Sequence, residues 1–144
     1  MAVGVFPLFL TLSLLSQTTR SIEKAFFQDD PRILCDLFSR QNHLYLSLPE
    51  PFLFADQLSP EQAYFFFRRV YLDYSTFEFY SDAELPLLSR GRSVFFRARW
   101  SFKHKRSGNQ YVLQVFFRLV GEPAGSGQDS RNPWRISEIK AEKL

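Results

Sequence analysis

The chain has 144 residues, enough for one domain with a single hydrophobic core. Its formal net charge of +3 is small and charges of both signs are interspersed, so composition alone does not indicate a nucleic-acid-binding protein. Cys35 is the only cysteine, which excludes an intrachain disulfide.

The first 20 residues have the pattern of a leader peptide. Residues 3–15 are almost wholly apolar, and the chain turns polar from Ser16 to Arg20. The run falls short of the ~20 residues that span a bilayer, but it suits the apolar part of a secretory signal peptide. No Lys or Arg precedes it, and the best cleavage site is Ser16-Gln17-Thr18. A buried N-terminal strand or helix is the alternative, which Pro7 disfavours.

We therefore predict a signal peptide over residues 1–20 and a single domain over residues 21–144. The protein is then expected in the periplasm or outside the cell, without stable membrane insertion after leader removal.

Two short helices are predicted next. Ser21 is a candidate N-cap for the first, and Asp30-Pro31 places a capping carboxylate before a proline at the first helical position of the second. Cys35 lies near the apolar stripe of that second helix and has no basic neighbour to activate it, so we assign it no chemistry.

A strand from His43 to Leu48 follows, and its leucines alternate with polar residues. Residues 53–58 connect it to a helix that begins with Ser59, Pro60 and a capping-box Gln62 and continues to about residue 73. Further strands are predicted from residue 75 to about 82 and from Trp134 to residue 139. A turn at residues 85–88 and a mobile loop over residues 122–132 lie between the elements.

The strongest pattern is a β-hairpin over residues 92–120. Ser107-Gly108-Asn109 suits its turn, and alternation gives each strand an apolar row. An even-length loop, such as Arg106-Ser107 or Arg106 to Asn109, would put both apolar rows on one face, which helices should cover. The apolar rows are Val94, Phe96, Ala98, Trp100 and Phe102, and Tyr111, Leu113, Val115, Phe117 and Leu119.

The opposite face of the hairpin mixes arginine with aromatic residues. With the two-residue loop, Phe95 falls opposite Arg118 and Arg97 opposite Phe116. Either this is a solvated face with some apolar side chains, or it is a subunit interface, where Arg and aromatics are enriched. The predicted interface consists of Phe95, Arg97, Arg99, Phe116 and Arg118.

The order of elements resembles the nuclear-transport-factor-2-like superfamily, a cystatin-like, ketosteroid-isomerase-like cone, and is most similar to small secreted bacterial domains of unknown function. The residues that carry the resemblance are Ser21 to Phe38 (SIEKAFFQDDPRILCDLF), Leu58 to Tyr71 (LSPEQAYFFFRRVY) and Trp134 to Lys140 (WRISEIK). The resemblance spans nearly everything after the leader, without an invariant signature.

This resemblance implies an α+β fold in which a curved antiparallel sheet of about five strands wraps around two to three helices and leaves a cavity. It also implies a homodimer through the outer sheet face. The residues then expected near the cavity, where a small hydrophobic ligand would bind, are Phe67, Tyr71, Trp100, Phe102, Tyr111 and Leu113.

Catalytic relatives use acid–base groups in the cavity, such as an Asp base with a Tyr donor. The candidates here are His43, Tyr45, Asp56 and Tyr74, but none matches an enzyme motif, so no catalytic residue, cofactor or metal site is predicted. We predict an exported, non-catalytic, dimeric binding module. An isomerase-, cyclase- or dehydratase-like enzyme is the alternative, and single-stranded nucleic acid on the Arg/Phe face ranks third, because export would exclude such a partner.

Overall fold

The structure, a computed structural model, describes residues 6–81, 88–90, 93–122 and 132–144. The helices in these ranges are α1 (Phe6–Phe27), α2 (Pro31–Cys35) and α3 (Pro60–Asp73). The strands are β1 (Leu44–Leu48), β2 (Phe54–Leu58), β3 (Tyr74–Ser81), β4 (Leu88–Arg90), β5 (Ser93–His104), β6 (Gln110–Gly121) and β7 (Trp134–Lys143). Most of the predicted turn at 85–88 and loop at 122–132 lies outside the described residues.

One curved sheet organises the chain, with strand order β2-β1-β7-β6-β5-β3 and the short β4 paired to β5. The predicted α+β class is confirmed, with two strands beyond the expected five. The prediction missed β2, because Ala55, Asp56 and Gln57 lack an apolar alternation, and β4, a strand of three residues. The pairing of β1 with β7 is parallel, whereas the other pairings among the described strands are antiparallel.

The β5–β6 hairpin has the predicted register. Phe95 pairs with Arg118, and Arg97 pairs with Phe116. The turn closes where the His104 backbone N–H donates to the Asn109 carbonyl at 2.9 Å. Gly108 lies in this turn at φ +75°, a conformation that costs glycine little.

The helix starts were also predictable from local sequence. Ser59 Oγ accepts from the Gln62 N–H at 3.1 Å, and the Gln62 side chain accepts from the Ser59 N–H at 2.9 Å, so the capping box is complete. Asp30 caps α2, accepting from the Arg32 N–H at 2.9 Å. Both caps confirm the sequence prediction.

Helix α1 differs from the prediction because it is continuous from Phe6 to Phe27, so Ser21 lies inside it and does not start a helix. Leu15, Thr18 and Thr19 are buried in the core. The Asn132 side chain donates to Thr18 Oγ1 at 2.8 Å and to the Leu14 carbonyl at 3.1 Å, joining α1 to the start of β7. The signal peptide stays a prediction, and cleavage at residue 20 would remove these contacts.

Within the described part of the chain, no helix has the length and apolar character needed to cross a membrane.

Phe26 of α1 lies at the centre of the core, against the inner face of the sheet. Its ring stacks on Phe79 at 4.5 Å between centroids and meets Trp100 edge-on at 5.1 Å. It makes further edge contacts with Phe67 at 6.3 Å, Tyr71 at 6.1 Å and Phe117 at 5.9 Å. Edge-to-face and offset packing is the favourable geometry for aromatic rings, so the many phenylalanines specify a well-defined interior.

Candidate functional site

The residues predicted to line a cavity come together on the inner face of the sheet. Phe67, Trp100, Phe102 and Leu113 are at most 1% exposed, and Tyr71 is 4% exposed. Trp100 and Phe102 lie 4.1 Å apart between ring centroids, and Phe102 stacks on the half-buried Tyr111 at 5.4 Å. These side chains fill space against one another, and binding of a hydrophobic ligand among them stays a prediction.

Two polar groups enter this aromatic interior. Trp100 Nε1 donates to Thr76 Oγ1 at 2.9 Å. The Tyr71 hydroxyl is buried and finds no hydrogen-bond partner among the described residues. Burial, followed by the nearby charges of Asp29 and Asp30, raises the pKa of Tyr71 well above its ordinary value. The Tyr71 hydroxyl is therefore a neutral potential donor.

Asp29 follows α1 and ties it to β3. Its carboxylate accepts from the Thr76 N–H at 3.3 and 3.4 Å. Burial raises the pKa of Asp29, while the hydrogen bonds from Thr76 and the charge of Lys105 act in the opposite direction. The sequence offers no signal for this contact, which links residues 47 positions apart.

The four candidate acid–base residues are scattered. Asp56 is exposed on β2 and accepts from the Gln57 N–H at 2.7 Å. Tyr74 packs edge-on against the His104 ring at 5.0 Å, and burial raises its pKa. Tyr45 and His43 lie on the other side of the sheet, in a groove described below. The described residues contain no group of three or more His, Cys, Asp or Glu placed to hold a metal ion.

The predicted interface residues do share the outer face of the sheet. Phe95 is 39% exposed, and Phe116 and Arg118 are half-buried. Arg118 donates to Ser93 Oγ at 3.1 Å, and Arg99 Nε lies 3.4 Å from the Glu78 carboxylate. A groove of about 290 Å³ crosses this face between Phe95 and the end of β7.

Strand β7 completes the outer face with residues that the sequence analysis did not single out. Glu138 pairs with Arg118, Lys140 with Phe116 and Glu142 with Gln114. On the other side of the hairpin, Tyr80 of β3 pairs with Arg99 and is 63% exposed. The alternation in WRISEIK already put Glu138 and Lys140 on one side of a strand, but only the pairing shows which strand they adjoin. We call these side chains and the predicted interface residues the outer face.

A second concavity, of about 370 Å³, lies beside the outer face, over β6, β7, β1 and β2. We call it the polar groove. Its floor is a row of four paired residues, Arg118, Glu138, Tyr45 and Gln57. Its remaining wall includes Gln41, Asn42, His43, Ser137 and Glu122.

Glu122 is fixed in this wall. It is 9% exposed, and its carboxylate accepts from Ser39 Oγ and, at 3.1 Å, from the Arg40 N–H. A β-bulge at Ser137 shifts the β6–β7 register, so that Ser137 and Glu138, although adjacent in sequence, both line the groove.

No protein-family model matches the sequence, and no curated protein matches it. Solved structures match the fold. A ketosteroid isomerase-like protein from Erwinia carotovora atroseptica has 14% identity and a TM-score of 0.67, over 92% of this chain and 95% of that one.

Two further structures have comparable similarity. A protein from Thiobacillus denitrificans, assigned as a calcium/calmodulin-dependent protein kinase type II association domain, has 12% identity and a TM-score of 0.63, over 88% and 92%. A protein from Streptomyces avermitilis, assigned as a dehydratase of the NTF2-like family, has 8% identity and a TM-score of 0.64, over 93% and 96%. Identities this low establish the fold alone.

Proposed function

Because this chain has the nuclear-transport-factor-2-like fold, we propose that it is an exported, non-catalytic association module whose outer face binds a second copy of itself. The observation that carries the proposal is the composition of the outer face. It combines exposed aromatic rings with charges of both signs, which is the composition of a subunit interface with a polar rim.

The charges of the outer face are arranged so that the face can complement itself. Arg99 of β5 and Glu142 of β7, two strands away, both pair with Gln114 of the intervening β6. A two-fold axis that runs along the intervening β6 lays β5 of one copy over β7 of the other. Arg99 of each copy then meets Glu142 of the other, so this contact of opposite charges occurs twice, as in an isologous interface.

The aromatic side chains would supply the apolar centre of this interface. Phe116 lies on β6 between the charged strands, and Phe95 borders the same groove. Burying such rings against a second sheet contributes most where they lie at the middle of the contact. The Thiobacillus neighbour, assigned as an association domain, uses the same fold and is consistent with this proposal.

Sedimentation velocity tests the interface. Phe116→Glu buries a charge at the centre of the contact and should convert dimer to monomer. Phe65→Glu is the matched control, because Phe65 is 57% exposed on α3, away from the sheet. The outer-face dimer is refuted if the Phe116→Glu variant is still dimeric. It is also refuted if Phe65→Glu dissociates the dimer as completely as Phe116→Glu does.

Charge exchange tests the proposed arrangement more sharply. Arg99→Glu should weaken association, because residue 99 faces Glu142 of the second copy, and adding Glu142→Arg should restore it. A double variant no stronger than Arg99→Glu alone would show that β5 does not lie over β7.

Native mass spectrometry of the protein expressed in a bacterial host tests export and the small hydrophobic ligand that the sequence analysis expects. A dimer that lacks about 20 leader residues supports export, and added small-molecule mass supports an apolar ligand. A full-length, ligand-free monomer would contradict export, interface and ligand together.

A second candidate function is proton transfer, favoured by one pair of residues. The Tyr71 hydroxyl is buried and has no hydrogen-bond partner in the part of the chain that the structure describes, and the nearby Asp29 has a raised pKa, as an acid–base pair needs. Exchange of the protons next to a ketone carbonyl into D2O, followed by NMR, tests it. Exchange above the buffer rate that Asp29→Asn abolishes would support an enzyme, and exchange at the buffer rate would reject this candidate.

A further inference from the structure

The polar groove has the features of a small-molecule site that neither the fold nor the outer face explains. Its volume of about 370 Å³ falls in the range of ligand sites in proteins. Two polar side chains of its lining, Glu122 and Ser137, are themselves about nine-tenths buried. A buried carboxylate held by two hydrogen bonds is set in one orientation before any ligand arrives, which lowers the entropic cost of binding.

The lining selects a ligand that donates and accepts hydrogen bonds at many points. The amides of Gln41, Asn42 and Gln57 do both, the carboxylates of Glu122 and Glu138 accept, and Arg118 donates. Two carboxylates and one guanidinium leave little net charge, so an ionic ligand is not favoured. A ligand with neighbouring hydroxyl groups, each of which can both donate and accept a hydrogen bond, matches this set of planar side chains.

Tyr45 adds an apolar surface to the polar lining. Its ring is 38% exposed in the middle of the floor, between Glu138 on β7 and Gln57 on β2. The row from Arg118 to Gln57 crosses four neighbouring strands, which gives the floor a length of about 14 Å at the usual strand spacing. A sugar ring presents C–H groups on its faces and hydroxyls at its edge, which suits an aromatic ring flanked by polar side chains.

We propose that the polar groove binds a carbohydrate, with one sugar ring stacked on Tyr45 and its hydroxyls bonded to Glu122, Glu138 and the flanking amides. The bulge at Ser137 produces the site, because it directs two consecutive side chains of β7 into the groove. The proposal does not depend on the dimer. It shares only Arg118 and Glu138 with the groove of the outer face.

Saturation-transfer-difference NMR on the full chain tests the proposal, with cellobiose, maltose and N,N′-diacetylchitobiose as probes. At least one of these should receive saturation, with a dissociation constant of about 1 mM or below. Tyr45→Ala should weaken that binding about tenfold by removing the stacked ring. Gln57→Ala, at an exposed position, should weaken it less and guards against misfolding of the tyrosine variant.

Tyr80→Ala is the matched control, since Tyr80 is an exposed tyrosine of the same sheet outside the groove. No saturation transfer to any of the three sugars at about 10 mM, or transfer that persists unchanged in both groove variants, overturns the proposal. Measuring the Phe116→Glu variant with the same sugars separates the two proposals. If the unaltered chain is itself monomeric and binds sugar, the polar-groove proposal is supported and the outer-face dimer is refuted.

Discussion

The β5–β6 hairpin has two faces built from alternate residues of the same strands, and they differ in almost every physical respect. On the inner face of β5, Phe96, Trp100 and Phe102 are at most 1% exposed. On its outer face, Phe95, Arg97 and Arg99 are exposed. The inner row is held by ring contacts, and the outer row by ion pairs and by hydrogen bonds to side chains.

This difference means that the inner face of the hairpin contributes to folding, whereas its outer face is available for association. Inner side chains gain their free energy on folding, because burial removes them from water whatever the outer face does. Outer side chains stay half-solvated in a single chain and gain little until another surface covers them. Substitutions on the two faces should therefore change different observables.

The largest effect is expected from truncating Phe26 of α1, the ring that packs on the centre of the inner face. Phe26→Ala removes a ring that contacts five others and should cost about 3–5 kcal/mol of unfolding free energy. Phe116→Ala deletes the same atoms from the outer face and should cost about 1 kcal/mol or less, measured by urea denaturation of the monomer. Equal losses for the two variants would contradict the division between the faces.

The next effect concerns the end of the leader-like segment, where Leu15, Thr18 and Thr19 are buried in the core. A chain that begins at Ser21 loses the buried Leu15, and that loss alone should cost about 2–5 kcal/mol. Thermal unfolding of this chain and the full one, compared side by side, measures the cost. An unchanged melting temperature would mean that the segment adds no stability, whereas a shorter chain that does not fold at all would contradict removal of residues 1–20.

The features that the sequence predicted well are those that local chemistry decides. Alternation fixes which hairpin residues share a face, and the shorter of the two expected turns gives the observed Phe95–Arg118 pairing. The capping box at Ser59 and the cap at Asp30 depend on residues within one helical turn. The sequence contains every partner in these contacts within a few positions or across one turn.

What escaped prediction depends on partners distant in the chain. The parallel β1–β7 pairing brings Tyr45 beside Glu138, and the polar groove follows from it. Ser39 and Glu122 are 83 positions apart, so nothing local marks Glu122 as a fixed carboxylate. The uniform apolar run before residue 15 is compatible with either a leader or a helix, because it carries no period to distinguish them.

The capping box of α3 makes a local contribution to the unfolding free energy, with which the effects of substitutions on the two faces can be compared. Ser59→Ala leaves the Gln62 N–H without its partner at the first turn of α3 and should lower the unfolding free energy by about 1 kcal/mol. Chemical denaturation measures it, with Ser59→Thr as the control that retains the hydroxyl. If Ser59→Thr loses as much as Ser59→Ala, the hydroxyl is not the stabilising group.

The smallest effect is a pH dependence at the edge of the inner face. Burial raises the pKa of Asp29 above its ordinary value of 3.8, so the folded state binds the proton more tightly than the unfolded state. The stability from this proton is fully present below pH 3.8 and is lost as the pH rises through the raised pKa. Asp29→Asn keeps an oxygen for the Thr76 N–H and carries no charge.

Asp29→Asn should therefore be slightly more stable than the unaltered chain at pH 7, and the difference should vanish below pH 3.8. Urea denaturation of both proteins across this range measures it, with Asp56→Asn, an exposed carboxylate of β2, as the control. If Asp29→Asn is instead less stable at pH 7, the hydrogen bonds from Thr76 and the charge of Lys105 outweigh burial, and the end of α1 is held by an ionised carboxylate.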